Sequence, residues 1–354
     1  MNSRAVTLEA ITFPKHIQIS LYGDGATIRR YYQVKISLKE IAQLCADIID
    51  LLNQSAEAGK KAPYIAANLQ KTGQLLFDQL LPDAVKDGLA ATKANTLTLV
   101  LDDRLAEVPW ELLFDGQQFL SLRFNIGRIL KTTEDISPCP ARKTKFPQKM
   151  LILADPTNNL PAARVEAMVV GDVIEKKPDW VHLSSKVIGI SRLYLKKNMR
   201  GFDALHYAGH ARYDAKNAKN SGWLLNDGTL TVSDIRQMAA AAPFPALVFS
   251  NSCDSAMAKT GYIDQTMEKK CLGLATAFLA SGTRYFIGSL WKLSDEAALF
   301  FAREFYKQLL QGRAIGEAVR RARTYLIRNY GTGNIAWASY VLYGDPAKTL
   351  FPKR

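Results

Sequence analysis

The sequence contains Phe202-Asp-Ala-Leu-His-Tyr-Ala-Gly-His-Ala211 and, further along, Pro245-Ala-Leu-Val-Phe-Ser-Asn-Ser-Cys-Asp254. Both are apolar strand patterns that end in side chains capable of chemistry, with His206 and His210 in the first and Cys253 in the second. The carboxyl ends of parallel strands meet at one edge of an open sheet, which is where α/β proteins place their sites. The two stretches therefore predict a parallel sheet that brings an imidazole and a thiol to the same edge.

The segments around these two strands alternate between strand and helix patterns. Strands are predicted at 150–154, 181–183 and 285–288, a hairpin at 224–231, and helices at 162–174, 190–199, 232–241, 271–281, 294–310 and 315–330. Such alternation is typical of an α/β sandwich with a mainly parallel sheet. We expect that fold class for residues 148–354.

Residues 1–136 have a different pattern, with strands first and helices after them. A hairpin is predicted over 16–36, helices over 38–52 and 65–81, and a strand over 96–101. Residues 137–147 hold three prolines and a basic run, which neither a sheet interior nor a stable helix tolerates. The sequence therefore predicts an α+β accessory half over 1–136, a linker over 137–147 and a second half over 148–354.

Composition and hydropathy predict a soluble, cytoplasmic protein. The 354 residues are 48% hydrophobic and 22% charged, a balance that excludes a disordered chain. No run approaches the ~20 apolar residues that span a bilayer, and the first residues lack the apolar region of a signal peptide. The four cysteines are scattered without a CxxC pair, which indicates reduced thiols rather than a zinc ribbon or a disulfide framework.

The net charge of +13 would favour an anionic partner such as nucleic acid. The basic residues, however, occur in dispersed pairs, such as Arg29-Arg30, Lys196-Lys197 and Arg320-Arg321. Nucleic-acid-binding proteins tend to cluster Lys and Arg on one element. The dispersed charge therefore predicts a solvated surface, and we expect no direct contact with nucleic acid.

A cysteine at the end of an apolar strand is most often a small buried hydrophobic residue. At Cys253 the polar neighbours, Asp254 among them, instead predict a thiol at the mouth of the sheet, and His210 after Gly209 suits an imidazole at the same edge. A thiolate is a nucleophile and imidazole titrates near neutral pH, so the pair predicts a cysteine-protease dyad. The backbone N–H groups of Ala211 and Cys253 are candidates to stabilise the oxyanion, at about 3 kcal/mol per donor.

His206 and His210 lie four residues apart, a spacing that on a helix would put both on one face as metal ligands. The segment has a strand pattern, and no Glu follows His206 as the HExxH motif requires. We therefore expect His206 to pack or hydrogen-bond inside the sheet near the site. No glycine-rich nucleotide-binding motif and no GxSxG nucleophile elbow occurs, so neither a metal nor an organic cofactor is predicted.

Four motifs follow one another in a characteristic order: His206-Tyr-Ala-Gly-His210, Ser250-Asn-Ser-Cys-Asp254, Gly288-Ser-Leu-Trp-Lys-Leu-Ser-Asp295 and Ala338-Ser-Tyr-Val-Leu-Tyr-Gly-Asp-Pro346. Together they resemble the motifs of CHAT-domain cysteine proteases, the clan CD relatives of caspases and separases. Val108-Pro-Trp-Glu-Leu-Leu-Phe-Asp-Gly116 resembles the N-terminal portion of the same family, so the resemblance covers nearly the whole chain. It implies a caspase-like α/β/α sandwich preceded by an accessory or pseudo-caspase half.

The resemblance also implies a substrate preference. In separase-like members the aspartate that matches Asp295 lies in the S1 pocket and pairs with a P1 arginine, which its charge and bidentate geometry would explain. The alternative is that Asp295, at a helix start, only complements the helix dipole. Residues 256–270 lie where caspase relatives carry a processing segment; the alternative there is an ordinary mobile surface loop.

Two features depart from the family pattern. Ala211 stands where many members have Gly directly after the catalytic His, so a β-carbon borders the expected oxyanion site. The tetratricopeptide repeats that often precede the domain are missing, so an activating sensor or adaptor would be another chain or the N-terminal half.

We therefore expect an intracellular endopeptidase that cleaves a partner protein after a basic residue once a sensor activates it. The relatives imply bacterial defence or regulated death as the context. One alternative is a catalytically silent caspase-like scaffold that binds a protein or nucleic acid through its basic surface. Another is a different thiol-dependent hydrolase that turns over small esters without cleaving peptides.

Overall fold

The computed structural model describes residues 4–58, 63–132, 142–214, 216–239, 243–253, 267–289, 293–331 and 335–352, with the backbone alone at 55–58, 63, 253 and 267–271. Within these ranges lie thirteen strands and ten α-helices. The strands are β1 (Ala5–Thr12), β2 (Ile17–Gly23), β3 (Tyr32–Val34), β4 (Thr96–Asp102), β5 (Asn125–Lys131), β6 (Gln148–Ala154), β7 (Val181–Val187), β8 (Ala204–Arg212), β9 (Gly222–Leu225), β10 (Gly228–Thr231), β11 (Leu247–Cys253), β12 (Tyr285–Ser289) and β13 (Tyr340–Tyr343). The helices are α1 (Leu38–Ala58), α2 (Pro63–Leu80), α3 (Asp83–Ala91), α4 (Leu120–Arg123), α5 (Pro161–Ile174), α6 (Arg192–Asn198), α7 (Val232–Met238), α8 (Met267–Ala280), α9 (Asp295–Leu309) and α10 (Ile315–Tyr330).

The chain forms two compact units. The N-terminal unit comprises residues 1–133 together with 314–338 and 344–350, and the C-terminal unit comprises 134–313 together with 339–343 and 351–354. Helix α10 therefore belongs to the N-terminal unit, although it follows the C-terminal unit's last helix in sequence. No helix of the described ranges is long and apolar enough to cross a membrane.

The N-terminal unit contains a sheet in the order β5-β4-β1-β2-β3. The first three of these strands are parallel, and β2 and β3 continue the sheet as an antiparallel meander. Leu97, Leu99 and Leu101 alternate along β4 and are fully buried, which is the period-two pattern of a strand with one face on a core. Arg128 of β5 is buried as well, because it pairs with the carboxylate of Glu111 and donates to backbone carbonyls.

The C-terminal unit contains a sheet in the order β7-β6-β8-β11-β12-β13, in which only β13 is antiparallel to its neighbour. The hairpin β9–β10 joins through β9, which pairs with the last two residues of β8. Helices α5 and α9 cover one face of the central strands, and α8 lies on the other. This mixed α/β architecture with a mostly parallel sheet confirms the predicted fold class.

The central strand β8 is covered on both faces of the sheet. Its first seven residues are all buried, as in strands that have helices on both faces. Tyr207 stacks on Trp223 of the hairpin at 4.3 Å between ring centroids, and Trp223 contacts Phe278 of α8. His206, the next residue back, points to the opposite face and stacks on Phe249 of β11.

Arg142 lies at the start of the described part of the C-terminal unit. Its guanidinium pairs with Asp203 at 2.9 Å and donates to the carbonyl oxygens of Phe244 at 3.0 Å and Pro243 at 2.9 Å. This arginine fixes the chain to the amino ends of β8 and β11. Residues 137–141 of the predicted linker over 137–147 lie outside the described residues, and the boundaries of the linker stay a prediction.

Candidate active site

His210 and Cys253 lie at the carboxyl ends of two adjacent parallel strands. In the pairing of β8 with β11, Cys253 is the Cα partner of His210. Neighbouring strands are about 4.8 Å apart, and directly opposed residues of a sheet share a face. The backbone therefore sets the two positions side by side at the edge where both strands end. The Cys253 side chain and the predicted neighbour Asp254 lie outside the described part of the chain.

The alternation of side chains assigns these positions to one face of the sheet. The register pairs Phe249 with His206, four residues before the Cys253–His210 pair, and Asn251 with Ala208, two residues before it. The side chains of Phe249 and Asn251 lie on the face covered by α5 and α9. Because side chains on one face recur every second residue, positions 210 and 253 fall on that same face.

The His210 imidazole is buried, with 8% of the residue exposed, and its Nε2 lies 3.1 Å from Oδ1 of Asn159. The backbone of His210 is held too, because its carbonyl oxygen accepts a hydrogen bond from the Tyr207 hydroxyl at 2.7 Å. Asn159 lies in the segment between β6 and α5, about fifty positions before the histidine. Nothing in the sequence around it predicted a contact with the site.

Asp155 organises the segment that carries Asn159. One carboxylate oxygen accepts hydrogen bonds from the backbone N–H groups of Asn159 and Leu160 at 2.8 and 2.9 Å, and the other accepts one from Arg164 Nε at 2.6 Å. Burial alone would raise the pKa of Asp155, but the hydrogen bonds from Arg164 and the two amides outweigh it and lower that pKa. The backbone N–H of Asp155 donates to the carbonyl oxygen of Ala208, which ties this segment to β8.

Gly209 is required where this segment meets β8. A β-carbon at Gly209 would lie 2.6 Å from the Tyr207 hydroxyl oxygen, 2.7 Å from Tyr207 Cζ and 2.9 Å from Pro156 Cδ. These separations are well inside normal van der Waals contact. The absence of a side chain therefore lets Tyr207 and Pro156 approach the strand directly beside His210.

A buried polar cluster lies below the two candidate residues on the same face. Glu166 of α5 accepts a hydrogen bond from Asn251 at 2.6 Å and lies 2.9 Å from Nε2 of His206. The Tyr306 hydroxyl lies 3.2 Å from Nδ1 of His206, and the Tyr340 hydroxyl donates to Asn251 Oδ1 at 2.6 Å. Burial, with a smaller contribution from the Glu166 charge, raises the pKa of Tyr306 well above its usual value.

Both ring nitrogens of His206 are engaged by this cluster, so the side chain has a structural place beneath the site. Among the described residues, no three His, Cys, Asp or Glu side chains lie close enough together to hold a metal ion. Glu166 was not predicted from the sequence, although a signal exists. It occupies a position in the apolar stripe of α5, between Ala163 and Val170, where a carboxylate must find a buried partner.

A family model described as the CHAT domain matches residues 70–345, which is most of the chain. The chain belongs to the CHAT-domain family. No protein of curated function matches it. Two crystal structures of the Saccharomyces cerevisiae separase–securin complex match with TM-scores of 0.59 and 0.60 at 14% sequence identity. In each, 97% of this chain is covered, and the chain spans 30% of the length of the chain it matches. The fold is thus the caspase-like fold of separase, as the motifs predicted.

The remaining predicted site residues of this CHAT domain lie at the start of α9 and at the end of β8. Asp295 is the first residue of α9 and is exposed, directly after Ser294, whose hydroxyl caps the helix by accepting the Ala297 N–H at 3.3 Å. This position is compatible with both the substrate-binding and the helix-dipole interpretation. Ala211 lies in β8 opposite Trp223 of the hairpin. Most of the predicted processing segment over 256–270 lies outside the described residues.

Proposed function

We propose that this CHAT-domain chain is a cysteine endopeptidase with Cys253 as nucleophile and His210 as general base. The observation that carries the proposal is the register of β8 and β11, which sets the two residues opposite each other where their strands end. Membership of the CHAT family and the caspase-like fold support the same chemistry. His210 is held at both its imidazole ring and its backbone carbonyl oxygen, which provides the fixed geometry that proton transfer needs.

The reaction then proceeds through an acyl-enzyme. His210 takes the thiol proton of Cys253, and the sulfur attacks the scissile carbonyl carbon to give a tetrahedral oxyanion. The backbone N–H groups of Ala211 and Cys253 are the proposed donors to that oxyanion. His210 returns the proton to the leaving amine as the C–N bond breaks, and water, deprotonated by the same imidazole, then cleaves the thioester.

The proposed substrate is a protein cut after Arg or Lys, with the exposed Asp295 carboxylate pairing with the P1 side chain. Separase was solved together with securin, and we propose that a protein partner also controls this chain. A sensor or adaptor would then raise the activity above its basal level in a defence or regulated-death response.

Cleavage of fluorogenic peptides with Arg, Lys, Asp or Leu at P1 tests the proposal. Wild type should turn over the Arg and Lys peptides, and Cys253→Ala and His210→Ala should abolish turnover, while His182→Ala, an exposed histidine of β7, should leave it unchanged. Equal rates in wild type and Cys253→Ala would refute the protease.

The P1 preference has its own matched pair of variants. Asp295 and Glu296 are both exposed in the first turn of α9, so both carboxylates complement the helix dipole. If Asp295 binds the P1 cation, Asp295→Ala should raise KM for the Arg peptide at least about 10-fold, as expected for a lost charge-assisted hydrogen bond. Glu296→Ala should change KM little. Equal effects of the two variants would assign Asp295 to the helix alone.

The net charge of +13 supports a second candidate, a silent scaffold that binds nucleic acid. Its signature would be binding that weakens steeply as salt rises, because phosphate contacts release counterions. A gel-shift titration with single-stranded and duplex DNA at two salt concentrations separates the candidates. The endopeptidase proposal expects no saturable binding at physiological salt.

A further inference from the structure

We propose that Asn159 is a positioning residue for His210, an inference that rests on the proposed function. Its side-chain oxygen accepts a hydrogen bond from Nε2–H of the imidazole, over the 3.1 Å that separates the two atoms. A neutral imidazole carries one proton, so a proton fixed on Nε2 leaves the lone pair on Nδ1. Nδ1 is then the nitrogen that takes the thiol proton, and the dyad becomes an Asn159–His210–Cys253 arrangement.

The surroundings of Asn159 favour its oxygen as an acceptor. The Thr157 hydroxyl donates to the same Oδ1 atom at 2.5 Å, so two donors converge on one amide oxygen, which has two lone pairs. An amide does not titrate, so Asn159 stays neutral at every pH, whereas a carboxylate in the same place would change its charge with pH. Asn159 orients the ring without placing a full negative charge beside the imidazole.

The segment that carries Asn159 is anchored independently of the histidine. The buried Asp155 carboxylate binds the Asn159 backbone N–H, and the Asp155 backbone N–H binds β8 at Ala208, two residues before His210. Arg164 pairs with Asp155 and also donates to Asn158 Oδ1 at 2.7 Å. The amide oxygen is therefore held at a fixed place relative to the strand that ends in His210, which is the pre-organisation a positioning residue needs.

Loss of this acceptor should be seen mainly in turnover. Outer partners of metal-bound histidines, which also fix a tautomer and a ring orientation, are worth on the order of 10- to 100-fold in activity. We expect Asn159→Ala to lower kcat by roughly that factor with KM nearly unchanged, because Asn159 binds the base and not the substrate. Asn159→Asp should restore part of kcat and shift the lower limb of the pH–rate profile upward, because a carboxylate stabilises the imidazolium.

The direct test is the protonation of the His210 ring, measured by ¹⁵N NMR of histidine-labelled protein. The sequence holds only four histidines, and His210→Gln assigns the signals of interest. The measurement is made in Cys253→Ala, where no thiolate can stabilise a protonated ring, and at a pH above the imidazole pKa. We expect the Nε2–H tautomer in Cys253→Ala. Adding Asn159→Ala should shift it to a mixture, and adding Asn329→Ala, an exposed asparagine of α10, should not.

The outcomes separate this inference from the protease proposal. An Nδ1–H tautomer in Cys253→Ala would overturn the inference, because the Asn159 amide nitrogen would then face the ring. An Nε2–H tautomer that stays unchanged after Asn159→Ala would also overturn it. The first of these results needs no further variant, so it stands even if Asn159→Ala fails to fold. An Nε2–H tautomer that depends on Asn159, in a protein that cleaves no peptide, would support the inference and refute the proposed function. Wild-type kcat in Asn159→Ala would refute the positioning role and leave the protease intact.

Discussion

Gly209→Ala is the substitution whose effect the structure specifies most closely. The added β-carbon would lie 2.6–2.9 Å from atoms of Tyr207 and Pro156, so one of these neighbours must move by most of an ångström. Tyr207 has little room to do so. Its ring is stacked on Trp223 at 4.3 Å, and its hydroxyl donates to the carbonyl oxygen of His210. The clash therefore acts on the backbone that presents the proposed base.

The cost can be bounded from other overpacked cores, where one extra carbon destabilises by about 1–3 kcal/mol. For a unit of this size that corresponds to a fall in the unfolding midpoint of roughly 2–12 °C, at about 2–4 °C per kcal/mol. Gly201 is a matched control, since it precedes the same strand, is exposed and has no atom within 4 Å of the position that a β-carbon would take. Gly201→Ala should leave the midpoint unchanged or slightly raised.

Thermal unfolding followed by circular dichroism measures both variants against wild type. We also expect Gly209→Ala to lose at least about 10-fold in peptide turnover, because His210 shifts with its carbonyl anchor. Equal midpoints for Gly209→Ala and Gly201→Ala would refute the reasoning, since they would show that Tyr207 and Pro156 do not confine this position.

Three further predictions concern charged groups of the C-terminal unit that are buried or partly buried. Glu166→Ala leaves two buried donors without their acceptor, at about 1–3 kcal/mol each, so urea titration should show a free energy of unfolding lower by about 2–6 kcal/mol. Glu175 is exposed at the end of the same helix, and Glu175→Ala should lower that free energy by less than about 0.5 kcal/mol. Equal losses in the two variants would contradict the buried polar cluster. The pKa of Asp155 is lowered from 3.8, so its stabilisation is complete above that value and is lost as the pH falls through the lower folded pKa. The gap in unfolding midpoint between wild type and Asp155→Asn should therefore be constant from pH 7 to 5 and close toward pH 3; a gap that widens in acid would contradict this sign. Arg142→Ala should lose about 1.5–3 kcal/mol, the range for hydrogen bonds to charged groups, and Lys143→Ala, its exposed neighbour, should lose almost nothing in the same urea titration.

The strands that organise the C-terminal unit could be predicted because their patterns are local. The apolar runs before His210 and Cys253 correspond to β8 and β11, with ends that differ by a few residues. The helices between them follow from apolar periodicity and from stops such as Gly282, which has a φ of 95° that favours glycine. The short helix α3 was not predicted, because it is brief and lacks strong flanking signals. Strand β1 was not predicted either, although Val6, Leu8 and Ala10 alternate with Thr7 and Glu9 as in a strand.

The surroundings of the site depend on contacts that local patterns do not encode. Asn159 lies 51 residues before His210 in the sequence, and a single asparagine in a polar segment carries no mark of such a partner. Glu166 was detectable in principle, as a carboxylate within an apolar stripe. Which side chains it would meet depends on the pairing of β8 with β11, and strand order is a long-range property. The same holds for α10, whose place in the N-terminal unit no periodicity could reveal.

The measurement that most directly tests the proposed dyad is the alkylation rate of Cys253 as a function of pH, resolved by peptide mass spectrometry. It needs neither a substrate nor an activator, and the buried Cys45 of the N-terminal unit serves as an internal reference. If His210 adjoins the thiol, Cys253 should react near pH 6.5 at least about 10-fold faster in wild type than in His210→Ala, because a neighbouring imidazolium lowers a thiol pKa. Identical profiles with a midpoint near the free-thiol value of about 8.5 in both proteins would contradict the account.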